Sequence, residues 1–174
     1  MSRVDAAPQL SFRIGAARLS LPMRVVREVL TLPAVVPVPG SRAHISGVAL
    51  HRGLAVPVYD LRRFVPLWSE PPGQEPDAGA GAHLIVCAWG EAVVGMVGVD
   101  TNLVDESSLQ QGETDSPGPV KREYLTGVLA SGEEGLSETI ACLDPSRLFP
   151  SLGVPLAEAG SAQEVNGEDD PAGR

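Results

Sequence analysis

Short β-rich apolar runs separated by Gly-containing turns dominate this chain. Residues 10–14 and 18–22 flank Gly15-Ala16-Ala17, residues 83–88 and 92–99 flank Trp89-Gly90-Glu91, and residues 124–130 and 139–143 flank an acidic Gly-rich turn. Each pair reads as a hairpin. The stretch around which the others are arranged is residues 44–64, where runs 45–50 and 54–59 meet at Arg52-Gly53, a pair suited to a tight reversal. Leu54, Val56 and Val58 share one face by period two, and Pro57, lacking an N–H, predicts a sheet edge or bulge there. Asp60 stands where an N-cap belongs, before a helical turn over residues 61–64.

A few segments depart from the two-residue period. Pro22 is placed like a first helical residue, and Met23, Val26 and Leu30 follow at helical spacing, which predicts a short amphipathic helix with Arg24, Arg27 and Glu28 towards water. Residues 31–40 contain Pro33, Pro37 and Pro39 and read as an extended crossing. Residues 69–82, SEPPGQEPDAGAGA, abandon periodicity altogether, and residues 105–119 form a polar loop. Asp144-Pro145 repeats the N-cap signal before a last helical turn ending at Phe149. The two halves share one plan: a hairpin, a crossing, a strand opening on Gly-Val (Gly47-Val48, Gly127-Val128), another strand, and Asp60 to Phe64 or Asp144 to Phe149. Such a repeat fits a duplicated small barrel. The expected division is a flexible N-terminus (1–9), a first barrel (10–68), a linker (69–82), a second barrel (83–156) and a disordered acidic tail (157–174).

Composition narrows the class. With 43% hydrophobic residues, 4% aromatics, 16 Pro and 19 Gly in 174 residues, the core is built from aliphatic side chains and the fold is all-β with short helices. The net charge of −9 is unevenly spread: residues 1–68 hold nine Arg against Asp5, Glu28 and Asp60, whereas residues 69–174 hold four basic and 19 acidic residues. That polarity suits steering between protein partners and speaks against a phosphate-tracking surface, so no nucleic acid is expected. Cys87 and Cys142, in apolar runs without CxxC spacing, read as buried thiols of a reducing compartment. No signal-type apolar region is present, and no apolar run approaches the ~18 residues of a span; a soluble, cytoplasmic protein without membrane insertion is the expectation.

Candidate chemistry is sparse. His44 and His51 are seven residues apart on a strand, which suits no metal geometry, and neither Cys has the helix start or basic neighbour that would activate it. Asp60 and Asp144 are explained as caps. No phosphate-cradling Gly motif occurs. Catalytic, cofactor and metal residues are therefore none, and the chain is not an enzyme in its own right.

Ile45-Ser46-Gly47-Val48 running to Arg52-Gly53, then Ala55-Val56-Pro57-Val58 and Asp60-Leu61-Arg62, resembles the signature of the CheW family of chemotaxis coupling proteins. Val26-Arg27-Glu28-Val29, Val94-Gly95 to Val99-Asp100, and Glu123-Tyr124-Leu125-Thr126-Gly127 are similar to further segments of that family. The resemblance covers roughly residues 10–150. It implies two small five-stranded, SH3-like barrels. It also implies a non-enzymatic adaptor that joins the regulatory domain of a CheA-like histidine kinase to the cytoplasmic tip of a methyl-accepting chemoreceptor. The residues it points to for partner binding are Val26, Glu28, Leu50, His51, Arg52 and Gly53. Where the family usually has Asn-Leu before Arg-Gly, this chain has Leu50-His51. The competing reading is a small ligand-binding or enzymatic barrel protein with its site in the groove between the barrels.

Overall fold

Residues 8–69, 81–104, 110–111, 118–131 and 138–154 are described by the computed structural model. Expectations for residues 1–7, 70–80, 105–109, 112–117, 132–137 and 155–174, including most of the linker and the acidic tail, lie outside the described residues.

Eleven strands account for most of the described chain: β1 (Gln9–Ile14), β2 (Ala17–Pro22), β3 (Val26–Thr31), β4 (Val35–Val36), β5 (Ile45–His51), β6 (Leu54–Tyr59), β7 (Ala82–Trp89), β8 (Ala92–Val104), β9 (Gln110–Gln111), β10 (Leu125–Ser131) and β11 (Glu138–Leu143). A single α-helix, α1 (Pro145–Leu152), and 3-10 turns at Met23–Val25, Leu61–Arg63, Val65–Leu67 and Arg122–Tyr124 complete it. The expected hairpins all form: β1–β2, β5–β6, β7–β8 and β10–β11 are antiparallel pairs.

The strands group as two five-stranded, SH3-like barrels. One runs β3-β7-β8-β6-β5 with β4 at its edge; the other runs from the far end of β8 through β1, β2, β11 and β10 to β9. Each barrel has one parallel pairing, β6 on β8 in the first and β11 on β2 in the second. These pairings interleave the halves of the chain instead of dividing it at residues 69–82: β3 of the first half pairs with β7 of the second, and β2 pairs with β11. Each barrel thus completes itself with a hairpin from the other half, a non-local choice that no local pattern announces.

Three cores follow from this. Ala49, Val58, Leu84 and Val86, with Leu30, Leu32, Val35, Val93 and Val97 against them, fill the first barrel. Leu129, Ile140 and Cys142 fill the second. The largest cluster joins Leu10, Phe12, Leu19 and Leu21 of β1–β2 to Ile85, Cys87, Val94 and Met96 of β7–β8 and to Leu148, Phe149 and Leu152 of α1. Period two explains the sharing, since β7 sends Leu84 and Val86 to one side and Ile85 and Cys87 to the other. Between the barrels there is consequently packed aliphatic and aromatic side chain.

Two local expectations change. The helix over residues 22–30 is one 3-10 turn, Met23–Val25, followed by strand β3. Val26 and Val29 are β-branched and stiff in helices, and the offer of a full antiparallel ladder with β7 outweighs a helical period that rested on three residues. Nor is β6 an edge strand, because it lies between β5 and β8. Its pairing with β8 begins at Val58, one residue after Pro57, so the absent N–H breaks no bond of that ladder. Among the described residues the strands with a single partner are β3, β4 and β9.

Candidate interaction face on the first barrel

The site builds outward from a two-residue turn. Arg52 and Gly53 both take left-handed backbone, at φ 50° and 79°, between the closing pair His51 and Leu54. This is the primed reversal that matches strand twist, and it is costly for Arg52, which has a Cβ. At the tip the Arg52 guanidinium donates to Glu28 Oε2 at 2.9 Å, and His51 Nε2 lies 3.3 Å from the same oxygen. Glu28 comes from β3, which is not paired with β5 in the sheet, so this cluster spans the seam of the first barrel. Side-chain exposures of 75% for Arg52, 36% for Glu28 and 14% for His51 grade the cluster from solvent to barrel rim. An ion pair so exposed contributes ~0–1 kcal/mol, too little to be the reason the fold holds. What it does is orient a charge.

Next to it lies apolar surface. On β5, Ala49 points into the barrel core while Leu50 is 73% exposed. Register extends that outer face across three strands: Val36 opposes Val48, Val48 opposes Pro57, and Leu50 opposes Ala55. Val36 is 66% exposed and Val38, just beyond β4, is exposed too. Val36 and Val48 were absent from the residues picked for partner binding, although period two, once β4 and β5 are paired, places them beside Leu50. Gly47 makes that pairing possible. A Cβ there would stand 2.2 Å from the Val36 carbonyl oxygen, and its φ of 147° suits only glycine.

The structure brings together Glu28, His51, Arg52 and Gly53, with Leu50 one residue away. Val26 is placed otherwise: it sits on β3 opposite Cys87, half-buried against the largest core, with a bulge between it and Glu28. Asp60 is the cap its position implied. Its Oδ1 accepts from Arg62 N–H at 3.0 Å, and the Arg62 guanidinium donates to both carboxylate oxygens at 2.9 Å. Asp144 Oδ1 accepts from Ser146 N–H at 2.9 Å in the matching place.

The remaining polar groups are structural. His44 stacks on Tyr59, meets Phe64 edge-on and lies 3.2 Å from the Leu152 carbonyl oxygen. Arg18, nine-tenths buried, pairs with Asp100 and with Glu138 at 2.7 Å. Hydrogen bonds from Arg18 and Asn102 hold the Asp100 carboxyl below its ordinary range. Both thiols are buried; burial pushes Cys87 up to about 12 and raises Cys142 as well, so neither supplies a thiolate nucleophile near neutral pH. No helix among the described residues is long and apolar enough to cross a membrane.

Known proteins match this arrangement over most of its length. The family model for the CheW-like domain matches residues 9–153. Protein FrzA of Myxococcus xanthus is 35% identical over 141 residues, covering 79% of this chain and 82% of that protein. The crystal structure of the scaffolding protein TtCheW from Thermoanaerobacter tengcongensis superposes with a TM-score of 0.60 at 16% identity, covering 82% of this chain and 87% of the other, a likeness of fold. On the extent of the family match and the identity to FrzA together, the chain belongs to the CheW-like domain family.

Proposed function

We propose that the face formed by Glu28, Leu50, His51, Arg52 and Gly53 is where this chemotaxis coupling adaptor holds its signalling partners. As a CheW-like protein the chain is a non-enzymatic adaptor. The partners proposed for it are the regulatory domain of a CheA-like histidine kinase and the cytoplasmic tip of a chemoreceptor. One observation carries the choice of face: Arg52 is the most exposed member of an ion-paired cluster, held in an unfavourable backbone region, directly beside an exposed Leu50. A fixed charge next to uncovered apolar area is what a protein interface of modest size uses for register and for affinity respectively. The six residues picked from the sequence divide accordingly. Five belong to this face, and Val26 supports it from below by holding β3 against β7.

Titration calorimetry with the isolated kinase regulatory domain tests the reading. Leu50→Asp should weaken binding tenfold or more, because a carboxylate would be desolvated without a partner, while the melting temperature stays put since Leu50 buries little at home. Arg52→Ala should weaken binding less and lower its salt dependence. Unchanged affinity in both variants, with the fold intact, would place the interface elsewhere.

A further inference from the structure

At the rim of the first barrel one carboxylate oxygen serves two nitrogen groups. Glu28 Oε2 accepts from the Arg52 guanidinium at 2.9 Å and lies 3.3 Å from His51 Nε2. An ionised carboxylate can only accept, so Nε2 carries the ring hydrogen and Nδ1 is the atom left to take a further proton from solvent. The two rivals for Glu28 are unequally placed. His51 is largely buried at the end of β5, opposite Leu54, whereas Arg52 stands out on the turn. Holding Glu28 therefore costs the long arginine side chain more rotamer freedom than it costs a ring already seated at the rim. An exposed ion pair is worth at most about fivefold in an equilibrium, so a full charge on His51 is enough to overturn it. The surrounding elements add no further rival: β6 faces His51 with Leu54, β7 faces Glu28 with Val86, and Arg27, the neighbouring charge on β3, is exposed at the bulge.

We propose that His51 is a specificity residue under proton control: once protonated it takes over Glu28, leaves the Arg52 charge uncompensated towards the partner, and tightens the grip on an acidic contact beside Leu50. With a neutral ring, Glu28 and Arg52 cancel; with an imidazolium the cluster carries one net positive charge. The partner chemistry so selected is an Asp or Glu carboxylate flanked by apolar side chains, the first for Arg52 and the second for the exposed Leu50. A partner that prefers the protonated form takes up a proton as it binds, so affinity rises as pH falls through the range in which imidazoles titrate. Where the family usually has Leu, which offers Glu28 nothing, this chain has His51, so the control belongs to this chain. It rests on the reading of this face as the partner site; the exchange of Glu28 between His51 and Arg52 does not.

Two measurements keep them apart. In the free chain, nuclear magnetic resonance between about pH 8 and about pH 6 should show the Glu28 carboxyl carbon and the Arg52 Nε–H moving together with the His51 ring, and Arg52 gaining mobility at the lower pH. His51→Gln, which keeps a donor for Glu28 but does not titrate, should show neither change. Calorimetry of the full chain with the kinase regulatory domain should give an affinity about three- to fivefold higher at the lower pH, with proton uptake visible in buffers of unlike ionisation enthalpy. Both effects should vanish in His51→Gln and equally in His51→Leu, which guards against a fold defect peculiar to either variant. Glu28 and Arg52 signals that ignore the ring overturn the exchange. An affinity that is flat or falls as pH drops overturns the control, and so does a gain that persists in both variants, since it then resides in the partner. A regulatory domain that binds at neither pH overturns the partner reading and the control with it, while the free-chain titration still decides the exchange.

Discussion

The two copies of the hairpin-and-cap unit start alike and end differently. After β6, Asp60 caps a turn whose buried residues are Leu61, Phe64 and Leu67. After β11, Asp144 caps a helix whose buried residues are Pro145, Leu148, Phe149 and Leu152. The first set recurs every three residues and the chain forms two successive 3-10 turns; the second recurs at i, i+3, i+4 and i+7 and the chain forms α-helix. One inserted residue between cap and Phe separates the two periods. Since both Phe side chains enter the same core, the spacing of the residues that must be buried selects the helix type, and the cap only starts it. The caps themselves differ in the same direction. Asp60 is 5% exposed and binds the Arg62 backbone and guanidinium together, while the Asp144 side chain is 20% exposed and satisfies the Ser146 N–H and hydroxyl.

The strongest way to break this comparison is at the second unit's anchor. Phe149→Ala should cost about 3–5 kcal/mol in urea unfolding, because the ring is fully buried and packs on Trp89 at a centroid distance of 5.4 Å. A loss below 1 kcal/mol would show that α1 is held by its cap alone. Gly47→Ala in the first unit should cost about 2–4 kcal/mol through collision with the Val36 backbone and an unfavourable φ, whereas Gly53→Ala, with open space around it, should cost only about 1 kcal/mol. Equal losses at the two glycines would contradict the role given to the β4–β5 approach. Among the caps, Asp60→Ala should destabilise by about 2 kcal/mol and Asp144→Ala by about 1, compared by thermal melts, since the buried carboxylate also satisfies a guanidinium. The smallest effect belongs to Asp100. Its carboxyl is held below its ordinary range when folded, so its contribution is present above the unfolded value near 3.9 and is lost as pH falls through the lower folded value. The stability gap between the parent and Asp100→Asn should accordingly close below about pH 4.

How much of this was legible in the chain depended on how local the cause was. Arg52-Gly53, Asp60 and Asp144-Pro145 act within four residues, and each turn or cap stands where those residues predict. The strand that replaced the expected helix at residues 26–31 was hidden because its partner, β7, lies more than fifty residues away and contributes the ladder that decides the matter. Pro57 misled for a related reason: its missing N–H is harmless only because β8 joins β6 one residue later. At the site, Glu28 and Arg52 lie on separate segments and meet only across the barrel seam, while Val36 and Val48 could join Leu50 only when the pairing of β4 with β5 was known.

The hairpin β7–β8, buried on both faces, sets the order in which this protein can come into being. During synthesis the first 69 residues emerge with β3, β5 and β6 but without the strands that pair β3 and seat β6. They wait as exposed hairpins, and β1–β2 waits longer still, for β11 near the end of the described fold. Closure of either barrel is therefore late and dominated by contacts distant in sequence, which makes folding slow relative to chains of local contacts. It also makes the two barrels one cooperative unit: hydrogen exchange from the cores of both should proceed through a single opening, and neither barrel could be excised as a stable piece.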